Sequence, residues 1–181
     1  MSKLFRDVTE GDEREDPYSG PHGFLLGVFS MEDIADQYFK AANLLVDSIK
    51  SKNTVDYELA YPVLYLYRHA IELILKSLMG STSNSHRLDA LQGDLVKFAR
   101  EHFKQDVPSS VIALLRELAS IDPTSQAFRY GEDRYDNQKQ TKPVPYETYV
   151  RLSELHERLN GLYESFKHAI QQVKRRQGEM S

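Results

Sequence analysis

The residues best suited to chemistry lie in one apolar stretch, residues 61–79, which contains Arg68, His69, Glu72 and Lys76. A planar guanidinium can hold a phosphate or a carboxylate through two N–H groups, and histidine exchanges protons near neutral pH. Arg68 and His69 are therefore candidates to line a cleft that binds a phosphate or a partner. We call these four residues the charged stripe.

On a helix, with about 100° of rotation per residue, the charged stripe lies in a single sector of the circumference. Tyr61 and Tyr65 share this sector, and the remaining circumference is apolar. A helix that is apolar over most of its circumference lies at the centre of its bundle, so part of the stripe is expected to be shielded from water. Buried charges cost several kcal/mol each unless they are paired. The alternative is that the stripe is the solvated face of the helix, joined by ion pairs from Glu72 to Arg68 and Lys76, its neighbours four residues away.

The composition bounds the kind of protein that can carry such residues. The 181 residues are 40% hydrophobic and 28% charged with a net charge of −4, which predicts one domain and argues against broad electrostatic binding of nucleic acid. The absence of cysteine excludes disulfides and thiolate sites and is compatible with the cytoplasm. No segment has the length and apolarity of a membrane span, and the acidic first thirty residues are unlike a signal peptide.

Apolar residues recur at helical spacing along most of the chain, and no segment shows the alternation of a strand. Residues 1–29 form an acidic arm with several Gly and Pro. Ser30 and Asp33 predict a capping box that opens a first helix, which runs to about Lys50. Gly80 ends the second helix, which starts near Val55. Third and fourth helices are expected at residues 88–102 and 108–121.

Residues 122–144 form a long polar stretch without periodicity, and loops of that length are usually functional or disordered. Pro145 is expected to open the last helix as its first residue. That helix carries a seam of apolar residues three and four apart, from Leu152 to Val173, which predicts a partner helix in the same chain or in a second copy. The helical domain thus spans residues 30–177, with a short tail at 178–181.

Three segments together resemble bacterial proteins of the HEPN superfamily: residues 61–76 (YPVLYLYRHAIELILK), His86, and residues 122–130 (DPTSQAFRY). More narrowly, they are similar to a subgroup with an Arg-His-x-x-Glu helix and a Phe-Arg-Tyr loop. The resemblance implies an all-α bundle of about five helices that forms a homodimer. It also implies one of two functions. The first is a metal-independent endoribonuclease in a toxin–antitoxin or antiviral defence system, and the alternative is a non-catalytic module that binds a nucleotide, RNA or a protein encoded nearby.

The same resemblance suggests two catalytic assignments. The ribonuclease signature of the superfamily, an Arg followed four to six residues later by a His, is matched by Arg151 and His156. These two residues flank the apolar seam about 140° apart, so catalysis there needs a dimer that brings two copies together; otherwise they are ordinary solvated positions. Leu152 stands where a small polar residue often follows the motif Arg, which lowers the expectation of catalysis.

The competing assignment uses His69 with Arg68 and Arg129, if the 122–144 loop folds back over the second helix. Either assignment supplies what metal-free RNA cleavage needs, a base for the 2′-hydroxyl and a cation for the charge that develops on phosphorus. The resemblance assigns ligand binding to Arg68, Glu72, Lys76, His86, Arg129 and Tyr130. Arg129 has a simpler alternative role as an ion-pair partner of Glu72. The histidines lack zinc-site spacing and no glycine-rich phosphate loop is present, so no cofactor or metal is expected.

Overall fold

The computed structural model describes residues 29–81, 85–130 and 148–178, and every regular element in these ranges is a helix. In chain order the helices are α1 (Met31–Lys50), α2 (Asp56–Met79), α3 (Leu88–Phe98), α4 (Ser109–Ile121), α5 (Ala127–Tyr130) and α6 (Leu152–Gly178), and a π-helical segment, Ala99–Phe103, continues α3. The predicted all-α bundle is confirmed. None of the helices in the described ranges is long and apolar enough to cross a membrane. The predicted acidic arm, apart from Phe29 at its end, and the last three residues of the chain lie outside the described residues.

Helix α1 begins with the predicted capping box. The Ser30 hydroxyl accepts a hydrogen bond from the backbone N–H of Asp33 at 3.2 Å, and the Asp33 carboxylate accepts one from the N–H of Ser30 at 2.9 Å. These bonds satisfy two donors that a helix start would otherwise leave without partners. The buried face of α1 then packs against α2 through small and aromatic residues: Ala35, Phe39, Ala42 and Val46.

Helix α2 is the central element, since α1, α3, α5 and α6 all pack against it. It ends at Gly80, as predicted, where the backbone takes the left-handed conformation with φ 60°. The N–H of Ser81 then donates to the carbonyl of Lys76 at 2.9 Å, which closes the helix end in a Schellman arrangement. Glycine suits this position because a side chain disfavours a positive φ.

The prediction that Pro145 opens the last helix is wrong, because the described residues 148–150 are not helical and α6 begins at Leu152. Pro145 itself lies outside the described residues. Tyr149 and Val150 are 89% and 39% exposed, so these two described residues bury little apolar surface that would hold a longer helix on the bundle. The first hydrogen bond of α6 joins the N–H of Leu155 to the carbonyl of Arg151 at 2.9 Å.

The apolar seam of α6 finds its partners within the same chain. Leu159, Leu162 and Phe166 are buried in the core shared with α1 and α2, and Tyr163 stacks on Phe39 with ring centroids 3.9 Å apart. Polar contacts between α1 and α6 extend this interface, as the Tyr163 hydroxyl and the Lys167 ammonium donate to Asp36 at 2.8 and 2.9 Å. The seam therefore does not itself require a second copy.

The beginning of the predicted long loop is folded. Residues 122–126 form a turn that leads into α5, and the Asp122 carboxylate accepts a hydrogen bond from the N–H of Ala127 at 3.0 Å. Helix α5 packs against α2, so this part of the loop returns to the charged stripe. Residues 131–147 lie outside the described residues.

Candidate functional site

The charged stripe is largely inside the protein. Arg68 and Glu72 have no exposed surface and Lys76 is 6% exposed. The alternative of a solvated face is therefore wrong, although the predicted ion pairs of Glu72 with Arg68 and Lys76 are present. The turn at residues 122–126 and the segment before α3 cover this side of α2, and helical periodicity alone gives no sign of these two segments.

Every nitrogen of the Arg68 guanidinium is used by the protein itself. Nε donates to the carbonyl of Asp122 at 3.0 Å, Nη1 donates to Glu72 Oε2 at 2.9 Å, and Nη2 donates to the carbonyl of His86 at 2.6 Å. Nη2 also lies 3.5 Å from the carbonyl of Pro123. Arg68 thus ties α2 to two separate chain segments and has no nitrogen left to hold a phosphate.

Asp122 places a second carboxylate against Arg68. Its Oδ2 lies 3.2 Å from Arg68 Nε, yet this oxygen accepts no hydrogen bond from the described residues, because the Nε–H points to the carbonyl oxygen of Asp122 instead. The contact is therefore electrostatic. Asp122 is fully buried, so the proximity of the cation offsets the cost of removing its charge from water.

The Glu72 carboxylate contacts three other charged or polar side chains of this region. Its Oε1 lies 3.0 Å from Lys76 Nζ and 2.8 Å from His86 Nδ1, while Oε2 faces Arg68. Burial by itself would raise the pKa of Glu72, but hydrogen bonds from Lys76 and His86, with the charges of Arg68 and Lys76, bring the pKa below its ordinary value. Glu72 is therefore ionised at neutral pH. We call Arg68, Glu72, Lys76, Asp122 and His86 the buried ion cluster.

His69 lies beside this cluster in an aromatic setting. Tyr65 stacks on it with centroids 5.6 Å apart, Tyr38 meets it edge-on at 4.6 Å, and the Arg129 guanidinium lies 5.5 Å from the centroid of the Tyr65 ring. Arg129 is exposed, and its Nε donates to the carbonyl of Ser125 at 2.5 Å. We call Tyr38, Tyr65, His69 and Arg129 the aromatic edge.

The His69 ring carries a buried nitrogen, Nδ1, that has no hydrogen-bond partner within the described chain. Burial lowers the pKa of His69. The cations of Arg129 and Arg68, together with His86, lower it further, while Glu72 acts in the opposite direction. His69 is consequently a neutral imidazole at physiological pH. The structure thus brings His69, Arg68 and Arg129 into one region, as the competing assignment required, but with Arg68 committed to the buried ion cluster.

Arg151 and His156 are placed apart. Arg151 is exposed immediately before α6, where its Nε lies 3.1 Å from Glu154 Oε2, whereas His156 is half-buried and faces the interior of the bundle. No contact joins these two side chains within the described part of the chain. Convergence of the pair would therefore require a second copy of the chain.

His156 is held by residues that the sequence did not single out. Its Nδ1 lies 2.8 Å from the hydroxyl of Tyr67, a fully buried residue whose hydroxyl also lies 2.6 Å from Asn43 Oδ1. Asn43 Nδ2 lies 3.3 Å from Asn160 Oδ1, and Asn160 Nδ2 lies 2.7 Å from the carbonyl of His156. We call His156, Tyr67, Asn43 and Asn160 the His156 ring of hydrogen bonds. No local pattern marks it, since Asn43 and Asn160 are 117 residues apart.

Nearby charges act on the same histidine. Burial lowers the pKa of His156, and the Lys50 cation at the end of α1 lowers it further, while Asp47 raises it. Burial also raises the pKa of Tyr67, with the charge of Asp47 adding to the effect, so its hydroxyl stays protonated. Lys50 is a further residue that the motif did not predict.

Two further predicted binding residues, His86 and Tyr130, lie at the edge of what the structure shows of this site. His86 keeps 52% of its side chain exposed at the margin of the buried ion cluster, while the side chain of Tyr130 lies outside what the structure describes. Within the described ranges, no group of three or more His, Cys, Asp or Glu could hold a metal ion. Comparison of the chain with models of protein families, with curated proteins and with solved structures finds no match.

Proposed function

We propose that this chain is a HEPN-like endoribonuclease that cleaves RNA without a metal ion, with His156 as the base. The observation that carries the proposal is the half-buried imidazole of His156, whose Nδ1 lies 2.8 Å from the hydroxyl of Tyr67. Its lowered pKa keeps the imidazole neutral near pH 7, as a proton acceptor requires. The spacing of Arg151 and His156 and the all-α bundle agree with this assignment.

The chemistry needs little else. His156 removes the proton of a 2′-hydroxyl, and the resulting oxygen attacks the adjacent phosphorus. The bond from phosphorus to the 5′-oxygen breaks, and this leaving oxygen takes a proton, which the imidazolium can return. The products are a 2′,3′-cyclic phosphate and a free 5′-hydroxyl. A cation must steady the charge on the phosphoryl oxygens in the transition state.

Two residues are candidates for that cation. Arg151 is exposed and engaged only by nearby Glu154 in its described contacts, so a second copy of the chain could bring it to His156. The charge of Lys50 lowers the pKa of the His156 imidazole, which makes Lys50 the candidate from the same chain. A homodimer that joins these sites is part of the proposal.

The test is cleavage of single-stranded RNA by purified protein in EDTA. Cyclic-phosphate products are expected, and His156→Ala should lower the rate about 10²–10⁴-fold, the range for loss of a general base. His168→Ala is the matched control, because His168 is an exposed histidine on the same helix. Arg151→Ala and Lys50→Ala then separate the two candidate cations. Absence of cleavage across varied RNA substrates, or full activity of His156→Ala with its fold intact, would overturn the proposal.

A defence or toxin role adds a cellular expectation. Expression of the active protein should slow growth, and His156→Ala should relieve that effect. Co-expression of a protein encoded beside it should do the same if the two form a toxin–antitoxin pair. Slow growth that persists with His156→Ala would separate the cellular effect from RNA cleavage.

The aromatic edge favours a second candidate, a non-catalytic HEPN-like module that binds a nucleotide or RNA. Exposed Arg129 lies over Tyr65, which in turn stacks on His69, so a cation and aromatic side chains lie together, as in sites that bind nucleotides. Arg68 is engaged by the buried ion cluster, whereas Arg129 lies at the surface, where a phosphate could approach it. Stacking of a base on an aromatic side chain contributes about 1–3 kcal/mol.

Calorimetric titration with ATP and with a short RNA tests this candidate. Arg129→Ala should weaken binding. The matched control, Arg158→Ala, removes an arginine that pairs with Glu117 at 3.2 Å away from the aromatic edge. Equal affinity in all three proteins, or no binding by the parent chain, would exclude the aromatic edge as the binding site.

A further inference from the structure

The hydrogen atoms of the His156 ring of hydrogen bonds can be assigned from one fixed point, the backbone carbonyl of His156. A carbonyl oxygen only accepts, so the Asn160 atom that lies 2.7 Å from it must be the amide nitrogen Nδ2. The side-chain oxygen of Asn160 therefore faces the other way, towards Asn43. This removes the usual ambiguity between the two ends of an amide.

The orientation of Asn43 follows from that of Asn160. Because Asn160 presents Oδ1, the Asn43 atom opposite it at 3.3 Å must be a donor, Nδ2. Asn43 then presents Oδ1 to the hydroxyl of Tyr67 at 2.6 Å. Since Oδ1 has no proton to give, the single proton of the Tyr67 hydroxyl must point to Asn43.

Tyr67 can therefore offer only a lone pair to His156. Its oxygen lies 2.8 Å from Nδ1, and this contact is a hydrogen bond only if Nδ1 carries the proton. We infer that Tyr67, Asn43 and Asn160 are positioning residues that hold neutral His156 as the Nδ1–H tautomer, with Nε2 as its proton-accepting atom. The role of this tautomer in catalysis rests on the proposed function, whereas the tautomer itself is a property of the fold.

Reversing the direction of these hydrogen bonds costs free energy. In the Nε2–H tautomer Tyr67 would have to donate to Nδ1, which would leave its oxygen facing Asn43 Oδ1 at 2.6 Å without a proton between them. Tyr67 is fully buried, so water cannot easily take the place of the lost donor. Asn43 cannot turn over to help, because its nitrogen is required by Asn160.

The arrangement also explains how a base can be useful at this position. In the Nδ1–H tautomer the anchored nitrogen is the protonated one, and Nε2 makes no hydrogen bond within the described residues. An acceptor at Nε2 is what removal of a 2′-hydroxyl proton needs. The three positioning residues come from α1, α2 and α6, so the bundle itself sets the ring orientation.

Nitrogen NMR of the full chain labelled with ¹⁵N-histidine tests the tautomer directly, above the pH at which His156 is protonated. The Nδ1 signal of His156 is expected at the position of a protonated nitrogen and the Nε2 signal at that of a bare one. Asn43→Leu frees the Tyr67 proton to turn to Nδ1, so the two signals should shift towards the Nε2–H pattern. Tyr67→Phe removes the acceptor altogether and should give a mixture.

Tyr163→Phe is the matched control, because it also removes a buried tyrosine hydroxyl but one that donates to Asp36. This variant should keep the Nδ1–H pattern. A bare Nδ1 in the parent chain overturns the inference, as does an unchanged pattern in Asn43→Leu. Folding of each variant is checked by circular dichroism, and if Tyr67→Phe fails to fold, Asn43→Leu alone decides the outcome.

Measuring RNA cleavage by the same variants tests whether the tautomer of His156 matters for catalysis. If the protein is a ribonuclease, Asn43→Leu should lower cleavage about 10–100-fold, by analogy with the residues that orient metal-binding histidines, and Tyr163→Phe should not. If the protein cleaves no RNA, the NMR result still stands, so failure of the proposed function is distinct from failure of the inference. Cleavage that depends on His156 but not on Asn43, with the tautomer changed, would show that the ring of hydrogen bonds does not position the base.

Discussion

Arg68 Nε lies 3.2 Å from Asp122 Oδ2, an ion pair between a central helix and a turn that comes 54 residues later. Both side chains are fully buried. The pair joins α2 to the turn that leads into α5, the helix that carries Arg129. This contact, together with the hydrogen bond from Arg68 Nε to the carbonyl of Asp122, links the buried ion cluster to the segment that carries Arg129.

Loss of Arg68 should therefore cost much more than loss of a surface arginine. In Arg68→Met the carboxylates of Glu72 and Asp122 remain buried without their shared cation, and we expect about 3–5 kcal/mol of destabilisation. Urea denaturation measures this change. Arg158→Met, which breaks an exposed pair with Glu117, should change the free energy of unfolding by less than about 1 kcal/mol. Similar losses in the two variants would contradict a structural role for Arg68.

The two glycines at Gly80 and Gly93 should respond to alanine with opposite signs. Gly80 has φ 60°, so Gly80→Ala should destabilise the protein by about 1–2 kcal/mol, even though its added Cβ would meet nothing within 4 Å. Gly93 lies in the exposed part of α3, and its Cβ would also enter open space. Gly93→Ala should therefore stabilise the protein by about 0.5–1 kcal/mol. Thermal denaturation of both variants checks the signs, and a stabilising Gly80→Ala would be inconsistent with the helix end described above.

Stability should fall as the solution is acidified below neutrality. The pKa values of His69 and His156 are lowered in the folded state, mainly by burial. Below about pH 6.5, the ordinary value for histidine, the unfolded chain takes up protons before the folded one, so acid favours unfolding. The lowered pKa of Glu72 adds a further loss below its ordinary range, because its carboxylate is stabilised in the fold.

Urea midpoints at pH 7.5 and 5.5 measure the histidine contribution. The difference between these midpoints should shrink in His69→Gln, which removes one of the two histidines whose pKa is lowered by folding. His168→Gln, a change at an exposed position on α6, should leave the difference as it is. A difference that is unaffected by His69→Gln would mean that His69 does not contribute to the acid sensitivity.

The charge of Arg129 should be visible in the titration of His69. Arg129 is one of the cations that lower the pKa of His69, so Arg129→Met should raise that pKa. Proton NMR of the ring of His69 follows the titration. Arg175→Met, in the exposed last turn of α6, serves as the control and should leave the value in place. A fall in the pKa of His69 on removal of Arg129 would contradict the arrangement of the aromatic edge.

Local signals predicted much of the fold. Ser30 and Asp33 predicted the capping box because both partners lie within one turn, and Gly80 predicted the end of α2 because a left-handed residue closes a helix. The ion pairs of Glu72 followed from helical spacing in the same way. In each case the interacting groups are neighbours in sequence, and the geometry of a helix is sufficient to place them.

The apolar circumference of α2 predicted that part of the charged stripe is shielded from water, but local signals did not predict which segments cover it. Arg68 is satisfied largely by the backbone carbonyls of Asp122 and His86, and every residue type has a carbonyl. Likewise, Tyr67 and His156 are 89 residues apart, and their contact depends on how three helices pack. The start of α6 was misplaced because Pro145 is a local signal, whereas the boundary is set by where the apolar seam begins to pack.

The contacts between α1 and α6 have a consequence for how the chain folds during its synthesis. Asn43 meets Asn160, Asp36 meets Lys167 and Glu32 meets Lys174 across sequence separations of 117, 131 and 142 residues. The hairpin of α1 and α2 can pair as soon as both helices have left the ribosome, but the groove that receives α6 must wait for most of the chain. We expect the nascent hairpin to expose Phe39 and Tyr67 throughout that interval, and thus to be a natural client for a chaperone.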